Sequence, residues 1–319
     1  MDLEVHDDNT TLLVLQLESL NAHEAVRRLP LVIFIGLLSL FGIVGNLHVI
    51  IIFMCKYEHR STYTVFVTCL AFLDLIGCCL NMPFEIVDNV LPFMFYNSAI
   101  CRIFRFSNTT VSVTSLFLMY VIAFERYKKV CKPLKMQISH ARRNALLAFA
   151  LSITVSWPSA VLNGHRTVIL KNNVTGSDCS TNDQFRGTIY PVIHSGLLFI
   201  TFIISSVTLT IFYIVIGRAI QKSRIQRSAM MKVTKILFLI TALLILTYLP
   251  HLILVTIVSC SKGFDEKLGP VGSVIYRIAV RLYYVNNVVN PIIYSFCDKR
   301  FRKKCAQLYK CSWRGQIVP

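Results

Sequence analysis

Seven long apolar stretches, separated by shorter polar segments, dominate the pattern along the chain. They cover about residues 31–54, 64–89, 101–130, 144–163, 188–216, 233–258 and 271–296. Each is long enough to cross a bilayer, which takes roughly 20 residues at about 1.5 Å per residue in a helix. Because lipid offers no partner for backbone polar groups, such segments must be helical. The pattern therefore predicts an all-α membrane protein built as a seven-transmembrane helix bundle.

The polar ends of the chain complete this organisation. Residues 1–30 are polar and acidic, and their apolar run is too short for a signal peptide, so we expect an uncleaved tail. Residues 31–296 form the transmembrane domain, and residues 297–319 form a further helix and tail. The segment Phe296–Leu308 has the amphipathic pattern of a short eighth helix lying on the membrane, with Phe301 facing lipid.

Composition and charge support a membrane protein and orient it. A mean hydropathy of +0.59 with 55% hydrophobic residues is too apolar for a soluble domain of 319 residues. Most of the 33 Lys and Arg residues lie on one side of the predicted bundle, in three loops and the C-terminal tail. The positive-inside rule places that side in the cytosol and the N-terminus outside. The net charge of +17 then faces anionic lipid and a cytosolic partner rather than nucleic acid.

A charged motif, Glu125-Arg126-Tyr127, closes the third apolar stretch. An arginine here can be a plain interfacial anchor, with its stem in lipid and its head in water. Two adjacent opposite charges near a bilayer are energetically costly unless they are paired with each other or released by a signal. The pair can therefore also serve as a switch.

Other motifs accompany this one, each on its own predicted helix or loop. They are Gly45-Asn46, Leu70-Ala71 with Asp74, Cys101 with Cys179, Cys131 with Pro133 and Leu134, Tyr213, Pro250, and Asn290-Pro291 with Tyr294. In this order, over about residues 30–310, the chain resembles the rhodopsin-like (class A) G-protein-coupled receptors, in particular the peptide receptors.

The resemblance implies a switch at the cytoplasmic side. In the resting state Arg126 would pair with Glu125, and on activation the sixth helix would swing out and let Arg126 meet a G protein. The residues assigned to this switch are Glu125, Arg126, Tyr127, Tyr213, Asn290, Pro291 and Tyr294. The implied partners are an extracellular peptide, a heterotrimeric G protein, arrestin and membrane lipids, at the plasma membrane and with the N-terminus extracellular. Because no hydrolytic or phosphate-binding motif occurs, we expect no enzyme.

The resemblance also implies a buried sodium pocket formed by Asp74, Ser115 and Asn286, with Asn46 and Asn290 near. Oxygen ligands and one carboxylate suit a hard monovalent cation, which would offset the burial of Asp74. Sodium would then be an allosteric ligand that favours the resting state, and no other cofactor is expected.

Cysteines and sequons on either side of the membrane mark candidate modifications. Cys101 and Cys179 are expected to form a disulfide that pins the second outer loop to the third helix, and the competing pairing uses Cys260. The glycosylation sequons begin at Asn9 and Asn173. The candidate palmitoylation sites are Cys305 and Cys311.

The outer third of the predicted bundle combines both signs of charge with aromatic residues. Arg105, Asn108, Ser112 and Ser115 are spaced by 3, 4 and 3, which places them on one inward stripe. A peptide suits such a site because its backbone and termini supply both signs. The candidate ligand-binding residues are Glu85, Arg105, Asn108, Ser112, His194, Tyr248, His251, Arg281 and Tyr284. The segment from His165 to Arg186 is expected to form a hairpin lid.

Other ligand classes and functions stay open or are disfavoured. Asn108 stands where amine receptors carry an Asp, and Tyr284 stands where a light sensor needs a lysine, so neither class is expected. A lipid- or carboxylate-sensing receptor would use the same arginines. A non-signalling or constitutively active member is the remaining alternative, while a transporter would show internal repeats that this chain lacks.

Several positions depart from the family pattern. Tyr248 replaces the usual Trp two residues before Pro250, and Ser205 stands where the fifth helix usually has Pro. At the base of the sixth helix, Met230 and Met231 stand where an acid would brace Arg126. These departures predict a resting state that is held less firmly.

Overall fold

Helices cross the bundle seven times in the part of the chain that the computed structural model describes, residues 2–56, 61–132, 136–170, 173–222, 227–260 and 268–314. The first three crossings are Asp2–Ile51 with a π-helical turn at Ile52–Lys56, Thr62–Val90 with a π-helical turn at Gly77–Asn81, and Ser98–Cys131. The fourth to sixth are Ile138–Ser156 continued by Pro158–Leu162, Tyr190–Lys222, and Arg227–Cys260. The seventh combines Pro270–Arg281, a 3₁₀ turn at Leu282–Val285, and Asn286–Cys297.

The predicted membrane-spanning pattern is confirmed. By length and apolarity, six helices in the described residues can each cross a membrane. The seventh crossing is interrupted by its 3₁₀ turn, so neither of its halves is long enough alone. Large apolar side chains cover the outer faces of the helices, for example Leu40, Phe41 and Leu246. Lipid, rather than water, is the solvent that such a surface requires.

The first crossing is much longer than predicted. Its helix begins at Asp2, not near residue 31, and the segment 11–30, the N-terminal extension, continues it beyond the bundle. Leu17 and Asn21 are buried there. Asn21 donates through Nδ2 to the carbonyl of Val90 at 3.3 Å and accepts from the backbone N–H of Phe93 at 3.0 Å. These contacts satisfy backbone groups where the second crossing ends, which is why a polar segment stays helical here.

Close approach of the second and seventh crossings depends on a glycine. A Cβ at Gly77 would lie 2.0 Å from Nδ2 of Asn287, so a larger residue would displace the Asn287 side chain or the two crossings. The same stretch is π-helical and leads directly into the turn that contains Pro83, which lacks an N–H to continue the α-helical ladder. This irregular stretch helps to set the direction of the outer half of the second crossing, which carries Glu85 and Asp88.

A two-stranded antiparallel hairpin covers the outer end of the bundle, as predicted. Strands Asn163–Ile169 and Thr175–Thr181 pair with Asn163 opposite Thr181. A disulfide joins Cys101 to Cys179, with their Cα atoms 5.6 Å apart. The expected pairing is therefore confirmed, and the alternative that used Cys260 is wrong. The disulfide fixes the second strand over the third crossing.

The eighth helix forms as Lys299–Arg314, but one of its predicted faces is wrong. Phe301 does not face lipid, because its side chain is 2% exposed and stacks on Phe53 at a centroid distance of 6.0 Å. Tyr294 lies against the same ring pair. Phe301 therefore anchors the eighth helix to the first and seventh crossings. The amphipathic pattern alone could not distinguish this packing from contact with lipid.

Candidate functional site

Four charged side chains from three crossings meet below the hairpin and form what we call the outer ion cluster: Glu85, Asp88, Arg105 and Arg281. Nη1 of Arg105 lies 3.1 Å from Oε2 of Glu85, and its Nη2 lies 2.7 Å from Oδ2 of Asp88. Arg281 reaches Oε1 of Glu85 at 2.6 Å. The cluster thus joins the second, third and seventh crossings.

The two acids of the cluster are buried, its two arginines are half-buried, and its charges balance. Glu85 is 2% exposed and Asp88 is 7% exposed. Taking such charges out of water costs several kcal/mol per ion unless opposite charges and hydrogen bonds compensate. Two carboxylates and two guanidinium groups supply that compensation. Arg105 also donates to the carbonyl of Cys179 at 3.1 Å, which ties the cluster to the hairpin.

Glu24 adds a second, more exposed ion pair from the N-terminal extension. Its carboxylate lies 2.9 Å from Nη2 of Arg277 on the seventh crossing and 3.2 Å from Nε of Arg28. Arg281 follows one helical turn below Arg277. The extension therefore reaches the side of the seventh crossing that carries the cluster.

An aromatic cavity of about 80 Å³ lies deeper than the cluster. Asn108 donates to the hydroxyl of Tyr283 at 2.6 Å, and Nδ1 of His251 donates to the carbonyl of Val280 at 2.5 Å. The rings of His251 and Tyr283 are 4.6 Å apart. The lining consists of Asn108, Thr109, Ser112, Val113, Leu116, Leu198, Phe202, Leu244, Tyr248, His251, Leu252 and Tyr283. Such a cavity suits an apolar or aromatic group.

The structure brings most of the predicted ligand residues together in these two places. Glu85, Arg105 and Arg281 belong to the outer ion cluster, whereas Asn108, Ser112, Tyr248 and His251 line the cavity. The remaining two lie outside the lining. Nε2 of His194 lies 2.9 Å from the hydroxyl of Ser159, and Tyr284 is 1% exposed and packs against Tyr283.

Sequence reasoning placed Asp88 and Tyr283 in the outer third but did not include them among the ligand-binding residues, and it missed Thr109 and Phe202 as lining residues. Asp88 follows Glu85 by three residues, one helical turn, so it occupies the same face. That spacing is the signal that assigns Asp88 to the same site as Glu85. Apolar lining residues give no such signal, because a cavity wall and a packed core have the same composition.

A second, smaller cavity of about 10 Å³ lies in the middle of the bundle, among the residues of the expected sodium pocket. Asp74, Ser115, Asn286 and Asn290 all line it. Asp74 is 2% exposed and accepts from Nδ2 of Asn290 at 2.8 Å. Among the described residues, Oγ of Ser115 and Oδ1 of Asn290 are buried without a hydrogen-bond partner. One carboxylate and unsatisfied oxygens in a space for one water-sized species fit a small cation.

Asn46 was also expected near the sodium pocket, but its side-chain amide nitrogen binds backbone carbonyls instead. Its Nδ2 donates to the carbonyls of Asn287 at 2.7 Å and Gly42 at 2.9 Å. Nδ2 of Asn286 donates to Oγ1 of Thr247 at 2.6 Å, which links the sixth and seventh crossings beside the small cavity.

The charged motif at the C-terminal end of the third crossing is buried. Nε of Arg126 lies 3.4 Å from Oε2 of Glu125, and the two residues are 8% and 3% exposed. Oγ1 of Thr62 donates to Oε1 of Glu125 at 2.8 Å. The guanidinium carbon of Arg126 lies 5.3 Å from the centre of the Tyr63 ring. The expected pairing of Arg126 with Glu125 is therefore present, with two further contacts from the second crossing.

The other predicted switch residues surround this motif. Oγ1 of Thr241 donates to the hydroxyl of Tyr213 at 3.3 Å and links the fifth and sixth crossings. Tyr127 packs against Phe212 with ring centres 5.6 Å apart. Tyr294 is 1% exposed beside Phe53. Pro291, one residue after Asn290, is buried within the helix Asn286–Cys297.

The candidate modification sites are described only in part. Asn173 is exposed and adopts a positive φ of 59° at the end of the hairpin turn. Cys305 is half-buried. The side chains of Asn9 and Cys311 lie outside the described part of the structure.

Beside the hairpin, partial burial raises the pKa of Asp183. Two hydrogen bonds from Thr167 outweigh that effect and leave the pKa below its usual value. Asp183 therefore remains ionised near neutral pH and holds the first strand through its backbone contact with Thr167.

Comparison with known proteins adds to this geometry. The family model for the 7 transmembrane receptor (rhodopsin family) matches residues 45–294. The chain is 24% identical to neuromedin-U receptor 2 of Rattus norvegicus over 306 residues, which cover 89% of this chain and 77% of that protein. It is 25% identical to the C3a anaphylatoxin chemotactic receptor of Oncorhynchus mykiss, over 86% and 75% of the two chains. It is 30% identical to the cholecystokinin receptor type A of Homo sapiens over 190 residues, which cover 57% of this chain and 43% of that protein.

Proposed function

We propose that this chain, which belongs to the rhodopsin family of seven-transmembrane receptors, binds an extracellular peptide and activates a heterotrimeric G protein. It is a multi-pass membrane receptor and not an enzyme. We place it in the plasma membrane with its N-terminus extracellular, because its basic loops then lie in the cytosol. Arrestin and anionic lipids are further proposed partners of that basic side.

One observation carries the proposal of a peptide ligand: a charged cluster lies directly above an aromatic cavity. Arg105 and Asn108 are one helical turn apart on the third crossing, so the two levels are about 5 Å apart along the helix axis. A peptide offers charged groups and an apolar side chain at that spacing. Relatives named as receptors for neuromedin U, cholecystokinin and allatostatin A agree with this ligand class.

The pairing within the outer ion cluster argues against the alternative of a lipid or carboxylate ligand. Arg105 and Arg281 already contact Glu85 or Asp88. An anionic ligand that took over Arg105 would leave the buried carboxylate of Asp88 without its ion-pair partner, which costs about 3–5 kcal/mol. A peptide carries both signs of charge and can exchange partners with the acids as well as the arginines.

For the cytoplasmic side, the proposal assigns Arg126 to the G-protein contact. Its side chain is now buried against Glu125, so a conformational change must release it. Such a change needs only a ligand with different affinities for the two arrangements. We further propose that a sodium ion at Asp74, Ser115 and Asn286 favours the arrangement described above.

The test is a library of neuropeptides applied to cells that express the full chain, with G-protein activation as the readout. A peptide that activates the wild type and fails to activate Arg126→Ala at equal surface expression supports the proposal. Activation by fatty acids or other carboxylates, with no response to any peptide, would favour the alternative. Unaltered signalling by Arg126→Ala would refute the assigned switch.

A further inference from the structure

The buried side chain of Arg126 lies against the start of the second crossing. Besides Glu125, the Tyr63 ring lies 5.3 Å from its guanidinium carbon. A cation over an aromatic face within about 6 Å is attracted by the ring quadrupole, and desolvation strengthens the attraction. Thr62, the neighbour of Tyr63, donates to Glu125 at 2.8 Å. The charge pair is thus held by two consecutive residues of another helix.

The sixth crossing has no acid with which to hold this arginine. The sequence contains no Asp or Glu between Asp183 and Asp265, a range that includes the whole of the fifth and sixth crossings. The hydrogen bond from Thr241 to Tyr213 links those two crossings to each other and carries no charge. Any ionic restraint on Arg126 must therefore come from elsewhere.

Tyr63 is itself fixed in place. Ser61 caps the helix by accepting from the backbone N–H of Thr64 at 3.2 Å, so Tyr63 lies in a capped first turn. Its ring packs edge-on against Phe53 at 6.1 Å, and Phe53 also contacts Tyr294 and Phe301. This packing connects the ring over Arg126 to the seventh crossing and the eighth helix.

We propose that Tyr63 is a positioning residue, whose ring holds Arg126 in the resting arrangement and replaces a charged restraint from the sixth crossing. Thr62 assists by keeping the carboxylate of Glu125 oriented towards Arg126. The proposal rests on the proposed G-protein coupling, because it concerns release of the same arginine. It makes the second crossing, with the aromatic residues behind it, the element that must move before Arg126 is released.

The experiment compares Tyr63→Leu, Tyr63→Phe and Thr62→Val in the full chain. Phe keeps the ring face over Arg126, whereas Leu removes it. The matched control is Phe124→Leu, because Phe124 also lies under a cation, Lys128 at 4.5 Å, but on the third crossing itself and against Phe212. Surface expression is measured for every variant.

Two readouts are needed. Ligand-independent G-protein activation should rise roughly five- to thirtyfold in Tyr63→Leu, the factor expected from losing a largely desolvated cation–π contact. Thr62→Val should raise it as well, while Tyr63→Phe and Phe124→Leu stay at the wild-type level. Hydrogen–deuterium exchange of the purified receptor should quicken at the cytoplasmic ends of the third and sixth crossings in Tyr63→Leu and not in Tyr63→Phe.

The two readouts separate failure of this proposal from failure of the proposed function. Faster exchange without G-protein activation in any variant would support the restraint and refute the coupling. Coupling that depends on Arg126, with both readouts unchanged in Tyr63→Leu, would overturn the restraint alone. Equal effects of Tyr63→Leu and Tyr63→Phe would also overturn it, because the ring would then not be the contact that matters. If Tyr63→Leu fails to reach the surface, Thr62→Val decides: no rise in either readout would overturn the proposal.

Discussion

Replacing Glu85 by Gln should destabilise the receptor more than removing an ion pair whose acid is partly exposed. Glu85 is 2% exposed and contacts both Arg105 and Arg281. The amide keeps the shape of the side chain but removes its charge, so two half-buried arginines are left to share Asp88. Breaking a buried ion pair by removing one partner costs about 3–5 kcal/mol, and we expect a loss of about 3 kcal/mol or more in stability.

A matched control is available in the hairpin. Asp178 pairs with Arg166, and the two side chains are 18% and 30% exposed. Because Asp178 is more accessible to water than Glu85, which is 2% exposed, Asp178→Asn should lower stability by about 1 kcal/mol and by less than Glu85→Gln does. The double variant Glu85→Gln with Arg281→Gln removes one charge of each sign. It should cost less than the sum of its single changes by at least about 1 kcal/mol.

The assay is thermal unfolding of the purified receptor in detergent, followed with a dye that reacts with buried thiols such as Cys78 as they become exposed. Denaturation midpoints of the wild type, Glu85→Gln, Asp178→Asn and the double variant are compared under one condition. If Glu85→Gln lowers the midpoint no more than Asp178→Asn does, the cluster is not a buried, mutually compensated network. Strict additivity in the double variant would contradict the contact between Glu85 and Arg281.

Three further outcomes are expected. Arg105→Ala should weaken binding of an identified ligand about tenfold or more, as the loss of a charged hydrogen bond predicts. Arg102→Ala should weaken binding less, because Arg102 only contacts the hairpin backbone. Equal effects of the two variants would contradict the proposed site. Agonist affinity should be lower in sodium than in a large organic cation, and Asp74→Asn should abolish that difference; a difference that persists in the variant would exclude the proposed ion site. Asn21→Ala should speed proteolytic cleavage of the N-terminal extension, because two backbone groups lose their hydrogen-bond partner at a cost of about 1–3 kcal/mol. His23→Ala is the control and should not change the cleavage rate, because His23 is exposed.

The number and order of the crossings follow from the sequence, because a long apolar segment in lipid has no alternative to a helix. Local spacing also determined which face of the third crossing turns inward. Arg105 reaches the outer ion cluster, Asn108 and Ser112 line the aromatic cavity, and Ser115 lines the small one. The crossings and the inward face of the third crossing were both inferred from residues near one another in the chain. Helical geometry fixes the relative positions of such residues.

Partnerships between crossings were decided by the tertiary structure. Arg105 pairs with an acid 20 residues away, whereas Arg281 pairs with the same acid across 196 residues. The sequence shows the charges but not which of them become neighbours, since that depends on how the helices pack. For the same reason the sequence placed Phe301 against lipid and assigned the N-terminal extension to a polar tail before the first crossing. It is burial against Phe53, and the contacts of Asn21 at the end of the second crossing, that give these segments their positions.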